Sequence, residues 1–265
     1  MSHSTHSLET RFGGELNESS VSSIAKNRLL AALPQCDWFH IQGFFDKVEL
    51  RFGQVLLERG ERIRRIYWPT TAVVSTVVVL EDGRTPEVVV MIGRMGFVGI
   101  EALFGAERAL NRRVVQISGA ALALPYEIFN QIEKQIPALR QMLDWYAQAY
   151  LSQVFQAAAC SSLHSAEQRM ARFLLTLQDA SGKEKIPITQ ESLAGCLGIS
   201  RVAAGKVART FQHKHSIDYS RGFLTIINRN MLQEVSCECY RVIRAEYDEF
   251  VRRGLRQVPG MSPLG

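Results

Sequence analysis

The stretch from Thr189 to Arg209 constrains the fold most, because its residues fit two short helices joined by one tight turn. Thr189 can cap the first helix, its hydroxyl accepting from the free N–H groups of the first turn. Leu193, Ala194 and Leu197 recur on one face at helical spacing. Gly198 stands where a chain leaving a helix most often needs a positive φ, and Ile199 follows as an apolar plug. Ser200 can cap a second helix, whose Ala203, Ala204 and Val207 are expected to face inward. Small Ala194 and Ala204 let the two helices cross closely. This is the pattern of a helix-turn-helix, the motif that sets its second helix in the DNA major groove. An ordinary helical hairpin is the alternative.

The charge supports the first reading. The formal net charge is +5, and residues 165–230 hold ten basic against five acidic side chains, whereas the flanking segments balance. A phosphate-facing surface needs such an excess, since neutralising phosphates releases counterions. The five cysteines, Cys36, Cys160, Cys196, Cys237 and Cys239, are scattered and odd in number, so no disulfide framework is expected. Met1 to Asn17 lacks the basic and apolar regions of a secretion signal. No apolar run approaches the ~18 residues of a membrane span. A cytoplasmic protein is expected.

In chain order, residues 1–22 are rich in Ser, His, Glu and Gly and read as a mobile tail. Ser23 to Leu33 reads as a short amphipathic helix stopped by Pro34. Strand patterns follow at Val48–Phe52, Gln54–Glu58, Ile66–Pro69 and the β-branched run Ala72–Leu80. A hairpin turn at Asp82-Gly83 leads to a return strand over Glu87–Ile92. Arg113–Ser118 and Ala120–Leu124 are two more strands around Gly119. Many short strands with Gly and Pro between them argue a β-barrel or jelly roll.

After Pro125 the period turns helical. Pro137 suits a first turn, and one long helix is expected to about His164. Leu139, Leu143, Tyr146, Tyr150, Val154 and Ala157 step along it by three or four residues, close to a heptad seam. A helix of ~27 residues is about 40 Å long, more than one small domain covers. These six residues are therefore the expected homodimer interface; a long helix lying on the chain's own barrel is the alternative. Ser165-Ala166-Glu167-Gln168 is a capping-box pattern that starts a new helix. Ile217–Tyr219 and Phe223–Ile227 flank Ser220-Arg221-Gly222 as a hairpin, and Met231–Leu255 is helical again. The expected class is α+β. An N-terminal β-barrel or jelly roll spans 23–136 and a long dimerisation helix 137–164. A winged helix-turn-helix spans 165–240, and a C-terminal helix and tail spans 241–265.

In this order the parts resemble the CRP/FNR family of bacterial transcription regulators. The resemblance covers roughly residues 23–240. It is strongest over Thr189–Ile227, including the wing Tyr219-Ser220-Arg221-Gly222, and weaker at Pro69–Val73 and Gly96–Phe104. It implies a homodimeric, non-enzymatic regulator that senses a signal in the barrel and relays it through the long helix. Such a regulator recruits or blocks RNA polymerase at a near-palindromic double-stranded DNA site. Residue by residue, Ser200 and Arg201 match the family's base-reading pair, and Arg can bind guanine O6 and N7 together. The next family position is often Glu, but here it is Val202, which offers only apolar contact, for example to a thymine methyl. Lys206 matches a later basic reader. Thr189 belongs to the same DNA-facing surface, and Gln190, Arg209 and Arg221 are candidates for phosphate contacts, which position without specifying.

The barrel departs from the family's cyclic-nucleotide pattern. That pattern has a Gly-Glu pair for the ribose and a later Arg for the phosphate. Here Gly99 is followed by Ile100, and Glu101 is displaced one place. A one-residue slip turns a strand side chain to the opposite face. Gly99, Glu101, Arg112 and Arg113 remain the candidate effector pocket, cyclic nucleotide is not expected, and a ligand-free barrel is the alternative. Oxygen-sensing members use four cysteines; this barrel offers only Cys36, with Cys160 on the long helix, so no iron–sulfur ligand set is expected. His40 is the one histidine of the barrel region, too little for a haem or cupin metal site. Cys237-Glu238-Cys239, with His213 and His215 upstream, has zinc-like residue types, but its cysteines are closer than the usual zinc spacing. No cofactor is expected. There is no Ser-His-Asp set, and Gly93-Arg94-Met95-Gly96 is not followed at once by a helix, so nothing points to an enzyme. A second reading makes the chain a ligand sensor whose winged helix contacts protein, which would not need the local positive charge.

Overall fold

The computed structural model describes residues 27–79, 81 and 90–256. The N-terminal tail, the start of the expected first helix, the Asp82-Gly83 turn and residues 87–89 of the return strand lie outside the described residues. The described chain opens with two short helices, α1 (Arg28–Ala31) and α2 (Gln35–Ile41). Strands β1 (Asp46–Leu50), β2 (Val55–Leu57), β3 (Arg65–Pro69), β4 (Val73–Val77) and β5 (Val90–Ile92) follow. After a 3-10 turn at Ile100–Phe104 come β6 (Arg112–Ile117) and β7 (Gly119–Pro125).

The strands form two antiparallel sheets rather than a closed barrel. One has the order β1-β7-β3, with Lys47 opposite Leu122 and Tyr67 opposite Ala123. The other has the order β2-β6-β4-β5, with Thr76 opposite Arg113 and Ser75 opposite Met91. The expected fold class therefore holds in its jelly-roll form. An aromatic stack fills the interior. Trp68 and Phe97 have ring centroids 5.5 Å apart, Phe129 lies 6.0 Å from Phe97, and Tyr146 lies 5.1 Å from it. Offset and tilted pairs at such separations are favourable beyond the area they bury.

Helix α3 (Tyr126–Gln135) leads to the long helix α4 (Pro137–Leu163), which begins at Pro137 as expected. His164, extended at φ −107° and ψ 147°, ends it. A full capping box then starts α5 (Ala166–Ser181). Ser165 Oγ accepts from the Gln168 N–H at 3.3 Å, and Gln168 Oε1 accepts from the Ser165 N–H at 3.0 Å. Strand β8 (Lys185–Pro187), helices α6 (Gln190–Leu197) and α7 (Arg201–His213), and strands β9 (Ile217–Ser220) and β10 (Phe223–Ile226) complete a winged helix with sheet order β8-β10-β9.

Two features depart from the sequence reading. The expected single helix from Met231 is two helices, α8 (Arg229–Val235) and α9 (Cys239–Arg256). They are broken at Ser236, whose backbone is extended (φ −66°, ψ 151°), and the break turns Cys237 into the interior. Helix α9 then lies along α4. There Tyr247 and Phe250 each pack 6.4 Å from Tyr146, and the Tyr247 hydroxyl donates to Gln153 Oε1 at 3.1 Å. The second departure is the contact between the jelly roll and the winged helix. All five residues of β4 are buried, so both faces of this strand are covered; its polar Ser75 and Thr76 are satisfied by the Val114 carbonyl and the Tyr150 hydroxyl. Val73, Val77, Met91 and Ile117 share one apolar cluster with Met170, Phe173, Leu174 and Leu177 of α5. The Gly93–Gly96 turn also sits against the end of α5, where the Arg94 N–H donates to the Ala180 carbonyl at 3.2 Å.

Candidate functional site

The helix-turn-helix is built by local chemistry. Thr189 Oγ1 accepts from the Ser192 N–H at 3.1 Å and so caps α6. Gly198 closes α6 at φ 60°, a conformation that costs a side-chain-bearing residue more than glycine. Ser200 Oγ accepts from the Ala203 N–H at 3.2 Å and caps α7. The inward face of α7 is Ala204, Ala208 and Phe211, all almost fully buried, while Ala203 and Val207 are half-buried at its edges. Ala194 and Ala204 are buried where the two helices cross, as their size led us to expect.

The opposite face of α7 is bare. Ser200, Arg201, Val202, Lys206 and Arg209 are all exposed, as are Thr189, the cap of α6, and Gln190, its first residue. Val202 is 78% exposed, unusual for an apolar residue, and the Arg201 side chain is 70% exposed. Arg201 meets only Glu191, at 3.9 Å, and both side chains are solvated, so this pair holds it weakly. Arg221 is exposed at the tip of the wing, at φ 51° beside Gly222 at φ 78°. Capping, turn and burial thus leave basic and apolar side chains together on one outward face of the second helix.

The candidate effector residues of the jelly roll do not converge in this way. Gly99 adopts φ 104° beneath Ile66, where a side chain would clash. Arg112 points outward and pairs with Glu58 at 2.8 Å. This bond holds the Glu58 carboxyl below its ordinary range. Glu101 and Arg113 turn inward and bind each other at 2.7 Å, with their side chains 3% and 1% exposed. Glu101 Oε1 also accepts from the Leu110 N–H, and Arg113 donates to the Asn111 carbonyl. The carboxylate and guanidinium thus occupy one another.

The six residues expected at the dimer interface serve the chain's own packing. Leu139, Leu143, Tyr146, Tyr150 and Ala157 are buried, and Val154 is partly buried against the same core. Helix α9 and the jelly roll cover them. The sequence could not reveal this, because a heptad seam looks the same whether a second copy or the chain's own last helix fills it. The outward seam of α4 is Gln148, Leu151, Phe155, Ala158 and Ser162, again stepping by three and four. On it Leu151 and Phe155 are 46% and 68% exposed.

The expectation that no iron–sulfur or other metal ligand set exists is overturned. Cys160 near the end of α4, His164 just beyond it, Cys237 in the α8–α9 break and Cys239 at the start of α9 bring their ligand atoms within 4.8 Å of one another. Cys160 and Cys237 sulfurs are 3.5 Å apart, and Cys239 Sγ is 3.6 Å from His164 Nδ1. All three cysteines are buried. The Cys160–Cys237 hydrogen bond lowers the proton affinity of Cys237 and raises that of Cys160. The histidine partner is therefore His164, while His213 and His215 lie exposed on the winged helix. Cys160 and His164 stand four residues apart, a spacing that puts two side chains on one helix face. That was the available signal. It does not reveal a site by itself, because His164 reads as the end of the long helix and the other two cysteines, Cys237 and Cys239, lie more than seventy residues further along the chain.

Comparison with known proteins agrees with this anatomy. Residues 168–235 match the Crp-like helix-turn-helix domain. The chain is 21% identical over 198 residues to the fumarate and nitrate reduction regulatory protein of Vibrio cholerae, spanning 72% of this chain and 78% of that one. Its fold is that of FixK2 from Bradyrhizobium japonicum, with a TM-score of 0.60 at 13% identity over 73% of this chain and 98% of that chain. A regulator from Eubacterium rectale assigned to the crp/fnr family gives 0.59 at 18% identity over 80% of this chain and 98% of that chain. No helix among the described residues is long and apolar enough to cross a membrane. With its second helix exposed beside a jelly roll and a long helix, the chain carries a Crp-like helix-turn-helix domain over residues 168–235 and shares the fold of these CRP/FNR-type regulators.

Proposed function

We propose that the protein acts as a homodimer in the cytoplasm on a near-palindromic site, with the two α7 helices in successive major grooves about 34 Å apart. In this reading a sensor occupies 23–136, a dimerisation helix 137–164 and a DNA-binding domain 165–240. Ser200, Arg201, Val202 and Lys206 read bases. Thr189, Gln190, Arg209 and Arg221 hold phosphates. RNA polymerase is the partner that converts binding into regulation, and the protein carries out no catalysis. The single observation carrying this reading is the bare outer face of α7, where Arg201 and Val202 are exposed over a well-packed inner face.

The dimer contact runs along the outward seam of α4 through Leu151 and Phe155. The residues first expected there, Leu139 to Ala157, stiffen the helix from behind. In the jelly roll, the mutual pairing of Glu101 and Arg113 supports a module that takes no anion at those residues. Footprinting against genomic DNA fragments tests the reading. Wild type should protect two half-sites, and the double variant Arg201→Ala/Lys206→Ala should lose sequence-specific protection while keeping its melting temperature. Wild-type-like footprints from that variant would remove the base-reading assignment.

A further inference from the structure

Three stretches far apart in sequence meet at the hinge between the long helix and the winged helix. Cys160 and His164 stand at the end of α4, Cys237 in the break after α8, and Cys239 at the first position of α9. We propose that these four side chains bind one zinc ion as a Cys3His site that fastens α9 to the end of α4.

The geometry fits a single tetrahedral ion. Zinc–sulfur bonds of about 2.3 Å and zinc–nitrogen bonds of about 2.0 Å place sulfurs ~3.8 Å apart, and sulfur and nitrogen ~3.5 Å apart, in a tetrahedron. The Cys160–Cys237 sulfurs are 3.5 Å apart and Cys239 Sγ to His164 Nδ1 is 3.6 Å, with all four ligand atoms inside 4.8 Å. The first two distances lie within about 0.3 Å of the coordinated values, and the remaining pairs, bounded by 4.8 Å, close on an ion by shifts of about an ångström at most.

The surroundings also suit a metal. Ligating histidines nearly always give their other ring nitrogen to a carboxylate, a backbone carbonyl or water. Here His164 turns Nδ1 to the cysteines and Nε2 to Glu238 Oε2 at 3.3 Å. Glu238 lies between two of the cysteines in sequence, so one short segment supplies two ligands and the group that orients a third. Three thiolates and a neutral imidazole leave the loaded site with one net negative charge. Arg172 of α5 is 4% exposed, and its charge acts on all three cysteines, which offsets that excess. The three sulfurs are almost fully buried and His164 is 13% exposed, leaving no place for substrate. A closed four-ligand site of this kind is structural rather than catalytic.

Its position gives the ion a mechanical role. α9 covers Tyr146 and Tyr150 on the inner side of α4, and the ion ties its first residue to the place where α4 ends and the winged helix begins. Metal occupancy therefore sets how firmly the DNA-binding part is held to the long helix.

The test is metal analysis of full-length protein purified without chelator. About one zinc per chain is expected in wild type. Cys237→Ser and Cys239→Ser should retain less than about a fifth of it, while Cys36→Ser and Cys196→Ser, which lie outside the cluster, should match wild type. A second measurement does not depend on the variants folding. Wild-type protein stripped under reducing conditions and titrated with Co2+ alone should develop sulfur-to-cobalt charge-transfer and tetrahedral d–d bands that saturate near one cobalt per chain and vanish on adding zinc. Iron with acid-labile sulfide in place of zinc would overturn the assignment. So would Cys237→Ser protein with wild-type zinc, or cobalt spectra lacking sulfur ligation.

Discussion

The buried Glu101–Arg113 pair offers a sharp test of how the jelly roll is held together. The two side chains are 3% and 1% exposed and meet at 2.7 Å. That bond joins Arg113 Nη2 to Glu101 Oε1, while Arg113 Nε and Glu101 Oε2 are buried with no hydrogen-bond partner among the described residues. Each charge is therefore compensated mainly by the other. Arg113→Met leaves a carboxylate buried beside apolar atoms, and Glu101→Leu leaves a guanidinium in the same state. Removing one partner of a buried ion pair costs about 3–5 kcal/mol, whereas replacing both with apolar residues of similar volume is often neutral or stabilising. For a chain of this size a loss of ~4 kcal/mol lowers the melting temperature by roughly 10 °C. Each single variant should thus melt about 10 °C below wild type, and Glu101→Leu/Arg113→Met should recover most of the loss. Calorimetry and urea denaturation on the four proteins complete a double-mutant cycle, whose coupling should be at least ~2 kcal/mol. Additive losses, or single variants within about 1 kcal/mol of wild type, would show that both charges are solvated and that the site is open. The double variant should bind DNA normally, because neither residue is near α7. Loss of DNA binding with a restored melting temperature would make the pair part of a signalling site instead.

The remaining predictions concern surfaces. Val202→Glu should move base preference at one position of each half-site toward cytosine, whose N4 the new carboxylate accepts from, by about 1–3 kcal/mol; binding to a panel of single-base operator variants measures this, and an unchanged preference refutes contact at Val202. Phe155→Glu should convert dimer to monomer in analytical ultracentrifugation while changing chain stability by no more than ~0.5 kcal/mol, because the ring is 68% exposed; a dimer of unchanged affinity would place the contact elsewhere. Gly93→Ala should loosen the joint between jelly roll and winged helix, because a Cβ there would stand 2.2 Å from the Ala180 carbonyl oxygen. Overpacking of this kind costs about 1–3 kcal/mol. Faster amide exchange at residues 178–182 would report it, and wild-type exchange would show that the turn adjusts freely.

Much of this molecule is written locally. The caps at Thr189, Ser165 and Ser200, the left-handed Gly198 and the helix start at Pro137 each depend on a few neighbouring residues, so they could be read directly and stand where expected. The bare reading face followed from the same logic, since the positions of α7 that do not pack must point outward. The inward face was misread by one step at Ala203 and Val207, because small and β-branched residues do not mark the centre of a helical stripe as sharply as Phe211 does. The effector residues were recognisable by type, but sequence could not show that Glu101 meets Arg113 while Arg112 turns to Glu58.

Taken alone, the sequence determined the order of the parts, the helix-turn-helix and its outward residues. Those features rest on spacing, capping and backbone preference within a turn or two. Only the tertiary structure decided what covers each apolar surface. It put α9 on the seam of α4 that had looked ready for a second copy, buried both faces of β4 between the jelly roll and α5, and gathered Cys160, His164, Cys237 and Cys239 into one cluster. The physical reason is the same in each case. An apolar stripe or a thiol states that it wants a partner, while the identity of that partner depends on how distant segments close in space.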